Sequence, residues 1–141
     1  MSIRIKDSVC FVTGSNRGIG RALVEELMKR GAAKVYAAAR NTSALKDLVA
    51  SSKGKVVAIT LDVTSEAQIN AAVNRALDTQ ILINNAGVAG YTGIIAAADT
   101  SSARAEMDVN YFGLMNMTRA FAPMLKKNGG GGVVNISSIG G

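Results

Sequence analysis

Short apolar runs alternate along this chain with longer stretches in which apolar residues return every three or four positions. Val9-Cys10-Phe11-Val12-Thr13, ending at Gly14, predicts a buried strand followed by a tight turn. Ile19, Ala22, Leu23 and Leu27 then recur at helical spacing with charges between them, and Gly31 follows where helices commonly end in a left-handed residue. Lys34 to Ala39 reads as a second strand, Leu45, Leu48 and Val49 as one face of a helix, and Val56 to Leu61 as a third strand. Ser65-Glu66-Ala67-Gln68 fits a capping box opening a helix of Ile69, Ala72, Val73 and Ala76. Ile81-Leu82-Ile83 is the fourth strand. A long helical segment from about Ala103 to Lys127 and a strand at Val133 to Ile136 close the pattern. Strands that are continuous apolar runs separated by helices need crossover connections. The expected fold is therefore α/β: a Rossmann-type, doubly wound parallel sheet, truncated after its fifth strand, in one domain over residues 1–141.

Composition narrows the chemistry. Apolar residues make up 48% of the 141 residues and charged ones 18%, a globular balance. Sixteen Lys and Arg against ten Asp and Glu give a formal charge of +6, which favours anionic partners. The basic residues are dispersed, with Lys29-Arg30 and Lys126-Lys127 the adjacent pairs and no longer basic run, and aromatics are few, so no nucleic-acid partner is expected. Histidine is absent and Cys10 is the single cysteine, which removes imidazole chemistry, an intramolecular disulfide and the usual metal clusters. No apolar run has the length of a signal peptide core or a membrane span, so a cytoplasmic protein without a membrane partner is expected.

The most informative stretch is Thr13-Gly14-Ser15-Asn16-Arg17-Gly18-Ile19-Gly20, lying between the first strand and the first helix. Gly14 permits a tight turn, Gly18 lets backbone approach a pyrophosphate, and Gly20 lets the helix pack close to the strand. The unpaired N–H groups of the helix start face the anion.

The glycine spacing, Gly-x-x-x-Gly-x-Gly, together with Asn84-Asn85-Ala86-Gly87 at the end of the fourth strand, resembles the short-chain dehydrogenase/reductase family. Asp62-Val63, Asn110 and Asn135-Ile136-Ser137-Ser138 match further landmarks in order and spacing, so the resemblance covers essentially the whole chain. It implies an oxidoreductase that moves a hydride between a nicotinamide dinucleotide and a carbonyl or alcohol. Gly14, Ser15, Asn16, Arg17, Gly18, Ile19 and Gly20 would hold the pyrophosphate side, Asp62 and Val63 the adenine, and Asn85, Ala86 and Gly87 a ribose, with Asn84 a sheet-stabilising amide. Ser138 would hydrogen-bond the reacting carbonyl, and Asn110 would anchor a water relay behind it. An acid at the end of the second strand would bind a ribose 2′-hydroxyl and repel a 2′-phosphate. Here Ala39 stands where NAD-binding relatives carry Asp. Arg40 follows, placed to pair a phosphate, with Arg17 able to flank it, and the expected cofactor is NADP. Gln80 departs from the family, many of whose members place Asp before the fourth strand.

The family's general acid is a tyrosine followed four residues later by a lysine. Here Tyr36, Tyr91 and Tyr111 are followed by Arg40, Ile95 and Met115, so no Tyr-x-x-x-Lys occurs. An unperturbed tyrosine, with pKa of about 10, needs a nearby cation to work near neutrality. The leading expectation is a reductase whose remaining segment, with the last strands, lies outside these 141 residues, this form being inactive. The alternatives are a short, catalytically inactive NADP-binding module and a structural protein that uses the fold to dimerise. Val88 to Asp99 is mostly small and apolar, which suggests a hydrophobic substrate. Met107, Val109, Phe112, Leu114, Met115, Met117, Phe121, Met124 and Leu125 surround the long helix, more than one face can bury. The corresponding helix in the family lies in a subunit interface, so a homodimer or homotetramer is expected.

Overall fold

A computed structural model describes residues 3–90, 93 and 95–138. Tyr91, and residues 92 and 94 of the apolar Val88–Asp99 segment, lie outside the described residues, as do 139–141. Five parallel strands, β1 (Val9–Thr13), β2 (Lys34–Ala39), β3 (Val56–Thr60), β4 (Ile81–Asn84) and β5 (Gly132–Asn135), form one sheet in the order β3-β2-β1-β4-β5. Because β4 returns to the far side of β1, the chain reverses direction across the sheet between β1 and β4. The crevice this leaves at the carboxyl ends of the strands is where open α/β sheets bind ligands.

In β1 to β4 successive residues point to opposite faces, and both are apolar, as a sheet covered twice requires; β5 departs from this, with Val133 and Val134 exposed at the sheet edge. Cys10, Val12, Val35, Ala37, Ile81 and Ile83 pack under α1 (Gly18–Lys29) and α2 (Lys46–Ser51), whose Val24, Leu27 and Leu48 complete that layer; a 3₁₀ turn, Ser43–Leu45, adds Leu45. Phe11, Tyr36, Ile59 and Leu82 pack on the other face against α3 (Glu66–Arg75) and α5 (Leu114–Lys127), with Phe11 and Phe121 rings tilted at 4.7 Å. The Cys10 thiol is fully buried, and burial raises its pKa, so it is a core side chain rather than a nucleophile.

Three local details differ from the periodicity. The buried face of α1 is Gly20, Val24 and Leu27, whereas Ile19 is 63% exposed. The stripe is rotated because Ile19 points into the crevice. In the capping box at α3, Ser65 Oγ accepts from the Gln68 N–H, but Gln68 Oε1 reaches back past Ser65 to the Asp62 N–H at 2.8 Å. The box thus braces the end of β3. The long helix is α4 (Ser101–Met107) and α5 joined by a π-helical segment, Asp108–Gly113. Such segments are rare and concentrate at functional sites. Gln80 braces the start of β1 from beside β4: its Oε1 accepts from the Val9 N–H at 3.1 Å.

Candidate functional site

The turn after β1 is shaped by three glycines under different constraints. Gly14 has φ +67° and Gly18 φ +54°, both left-handed. A Cβ on Gly18 would meet nothing within 4 Å, since that backbone faces the open crevice. A Cβ on Gly20 would sit on the Gly14 carbonyl oxygen, so only glycine allows α1 to start this close to β1. The N-cap of α1 is Arg17, in extended conformation, with no side-chain cap and no acid in the first turn. By contrast, α3 is capped by Ser65 and has Glu66 in its first turn. The orphan N–H groups of α1 and the positive end of its dipole are therefore left for an anion from outside the chain.

Thr13, the last residue of β1, locks this turn to the end of β4. Its hydroxyl accepts from the Asn85 and Ala86 N–H groups, both at 2.9 Å, while Asn85 Nδ2 donates to the Thr13 and Gly14 carbonyls at 3.0 and 3.2 Å. No signal in the sequence joins residues so far apart. A threonine that closes a buried strand beside a glycine turn is the nearest cue.

The crevice has a volume of about 470 Å³, within the range of cofactor and ligand pockets. Of the expected binding residues, Gly14, Asn16, Arg17, Gly18, Ile19, Gly20, Arg40, Asp62, Val63, Asn85, Ala86 and Gly87 all line it, together with Thr13, Ala39, Asn41, Leu61, Val88 and Val109. Ser15 does not: it is fully buried, its hydroxyl donates to the Val12 carbonyl at 2.7 Å and its N–H to Ala38. It shapes the turn from behind. Asp62 Oδ1 accepts from the Thr64 N–H and hydroxyl at 2.9 and 2.7 Å; these bonds, aided by the charge of Arg40, hold its carboxyl below the usual range against partial burial. Val63 is packed by the π segment, since a Cβ on Gly113 would lie 2.7 Å from its Cγ2.

The two expected catalytic residues lie outside the crevice lining. Asn110, inside the π segment, holds Val88 at both ends: its Oδ1 accepts from the Val88 N–H at 2.8 Å and its Nδ2 donates to the Val88 carbonyl at 2.7 Å. One helical turn earlier, Glu106 accepts from the Gly90 N–H, a contact with no signature in the sequence. Ser138 is exposed just beyond β5, at the same end of the sheet as the crevice. Its approach is set by Asn84, whose Nδ2 donates to Asn135 Oδ1 at 2.9 Å and to Thr118 Oγ1 at 3.1 Å, tying β4 to β5 and α5. Among the described residues no group of His, Cys, Asp and Glu is able to hold a metal, and no helix is long and apolar enough to cross a membrane.

The family model for short chain dehydrogenase matches residues 8–141. A 3-ketodihydrosphingosine reductase of Bacteroides thetaiotaomicron is 32% identical over 141 residues, covering 97% of this chain and 49% of the relative. A short chain dehydrogenase from Burkholderia cenocepacia, solved in complex with NADP, superimposes with a TM-score of 0.89 at 45% identity, over 97% of this chain and 56% of that one. A short chain dehydrogenase/reductase from Burkholderia phymatum in complex with NAD gives 0.87 at 27% identity, over 98% and 51%. The chain thus spans about half the length of these relatives. With the strand order, the glycine turn and the family match in agreement, the chain belongs to the short-chain dehydrogenase family.

Proposed function

We propose that this chain is the cofactor-binding part of an NADP-dependent oxidoreductase acting on a small carbonyl or alcohol in the cytoplasm. The observation that carries the reading is one crevice in which the uncapped start of α1 meets a β2 end bearing Ala39 and Arg40 in place of an acid. The open space over Gly18 fits a pyrophosphate, and the cationic Arg40 and Arg17 fit a ribose 2′-phosphate. Asp62 and Val63 take the adenine edge, and Asn85, Ala86 and Gly87 the nicotinamide-side ribose. Bound there, NADPH supplies the hydride. The protein's part is to orient the acceptor, for which Ser138 offers a hydroxyl to the carbonyl oxygen and Asn110 holds the Val88 backbone in place. No Tyr-x-x-x-Lys is present, so the 141-residue form binds cofactor without turnover.

The same reading makes the protein a homodimer or homotetramer built on the α4–α5 segment. Met117, Phe121, Met124 and Leu125 are buried against the sheet, whereas Met107, Tyr111 and Phe112 are about half exposed on the outer side, a surface of the kind that subunits cover.

The test is Ala39→Asp. A carboxylate there repels a 2′-phosphate and accepts from a 2′-hydroxyl, so fluorescence titration should show the order of affinities change from NADPH before NADH to the reverse. Equal affinities before and after the substitution would overturn the cofactor assignment.

A further inference from the structure

Arg21 stands one residue past the glycine turn, with its N–H donating to the Arg17 carbonyl at 3.3 Å. Its side chain leaves α1 for the segment that follows β2. Nη1 donates to the Ala44 carbonyl at 2.8 Å, Nη2 pairs with Asp47 Oδ2 at 2.6 Å, and Nε reaches Glu25 at 3.1 Å. Surface ion pairs usually contribute little, and Arg30–Glu26, within α1, is of that kind. Arg21 differs in three respects. It bridges two elements, it grips a main-chain carbonyl as well as a carboxylate, and its side chain is 29% exposed against 62% for Arg30.

What it grips is the arch that carries Arg40. The near foot of the arch is Ala39, whose carbonyl accepts from the Leu61 N–H at 3.0 Å, and the far foot is the fully buried Leu45. Between them, Asn41 Oδ1 accepts from the Ser43 N–H at 2.9 Å, a bond local to the arch. Leu45 shares the core layer of α1, and the guanidinium at Ala44 adds a directional polar tie between the arch and α1, the element that starts at the pyrophosphate turn.

We propose that Arg21 is a positioning residue for cofactor selection: with Asp47 it presents Arg40 to the ribose 2′-position in a preformed arch. The inference rests on the NADP reading above. Without the tie part of the ordering of the arch is deferred to binding, and that cost falls on the ligand whose 2′-group uses Arg40. Arg→Lys is not neutral here, because an ammonium cannot span the carbonyl and the carboxylate as the planar fork does.

Titration of NADPH and NADH against the chain, Arg21→Ala, Arg21→Lys, Asp47→Ala and the Arg21→Ala/Asp47→Ala double variant, with circular dichroism on each, tests it. Arg21→Ala should weaken NADPH about fivefold and leave NADH within about twofold, Arg21→Lys should recover part of the loss, and the double variant should add little to the single one. Asp47 is exposed, so its variant keeps the comparison should Arg21→Ala fail to fold. Equal weakening of both cofactors, or an unchanged preference in Arg21→Ala and Asp47→Ala, overturns the inference while leaving the NADP reading intact. A parent chain that shows no preference for NADPH overturns both.

Discussion

Gly18 and Gly20 lie two residues apart in one turn and answer to different constraints. Gly18 needs its left-handed φ but has open space beside it, so Gly18→Ala should cost about 1 kcal/mol of stability and chiefly obstruct the cofactor. Gly20→Ala drives a methyl into the Gly14 carbonyl and must separate α1 from β1, so a loss of about 3 kcal/mol or more is expected. Urea denaturation of the two variants distinguishes them; equal losses would mean that the turn relaxes and that close packing is not what Gly20 serves. At this scale the places of the glycines, Arg40 and Asp62 along the crevice were legible because their cues are local in the chain. Thr13 and Ser15 were not. A hydroxyl that bonds backbone groups around residues 83 to 86 and one that bonds a carbonyl three residues back look the same along a chain.

Between elements, the start of β2 is tied to the α3–β4 corner by a cluster remote from the crevice. Lys34 Nζ pairs with Asp78 Oδ2 at 2.6 Å, and Tyr36 donates its hydroxyl to Asp78 Oδ1 at 2.8 Å. Burial alone would raise the Asp78 carboxyl, but the bonds from Lys34 and Tyr36 outweigh it and hold the pKa below its ordinary value. Asp78 therefore stabilises the fold above its unfolded pKa of about 4, and that contribution is lost as pH falls through the lower folded value. Lys34 is raised, chiefly by its bond to Asp78, and Tyr36 is raised, chiefly by burial. Their contributions are present below their unfolded values of about 10 and are lost as pH rises through the folded ones. Asp78→Asn should thus cost about 1 kcal/mol near pH 7, a difference that shrinks in denaturation curves as pH falls from about 4 through the lowered folded value. A difference that stays constant throughout the acid range would mean the ion pair adds nothing. Element order and the faces of β1 to β4 were legible, since burial on both sides leaves continuous apolar runs, whereas the equally apolar β5 run lies exposed. The π segment was not, because Asp108 to Gly113 keep ordinary helical residue types and their contacts with Val63 and Val88 come from distant parts of the chain.

For the molecule as a whole, the crevice is assembled while the expected proton donor has no counterpart in the sequence. The 141-residue form should reduce no carbonyl substrate with NADPH at a family-like rate, and stopped assays by product chromatography check this. Turnover that disappears in Ser138→Ala would mean another group delivers the proton. Light scattering should report a dimer or tetramer, since Met107, Tyr111 and Phe112 present an apolar outer face; a monomer at high concentration would remove that assignment. Most direct for the central claim is calorimetric titration of the unmodified chain with NADPH and with NADH at one fixed salt concentration. Charge-assisted bonds from Arg40 to a 2′-phosphate predict one saturable site per chain and an affinity for NADPH about tenfold or more above that for NADH. No binding, or equal affinity for the two, would contradict the account.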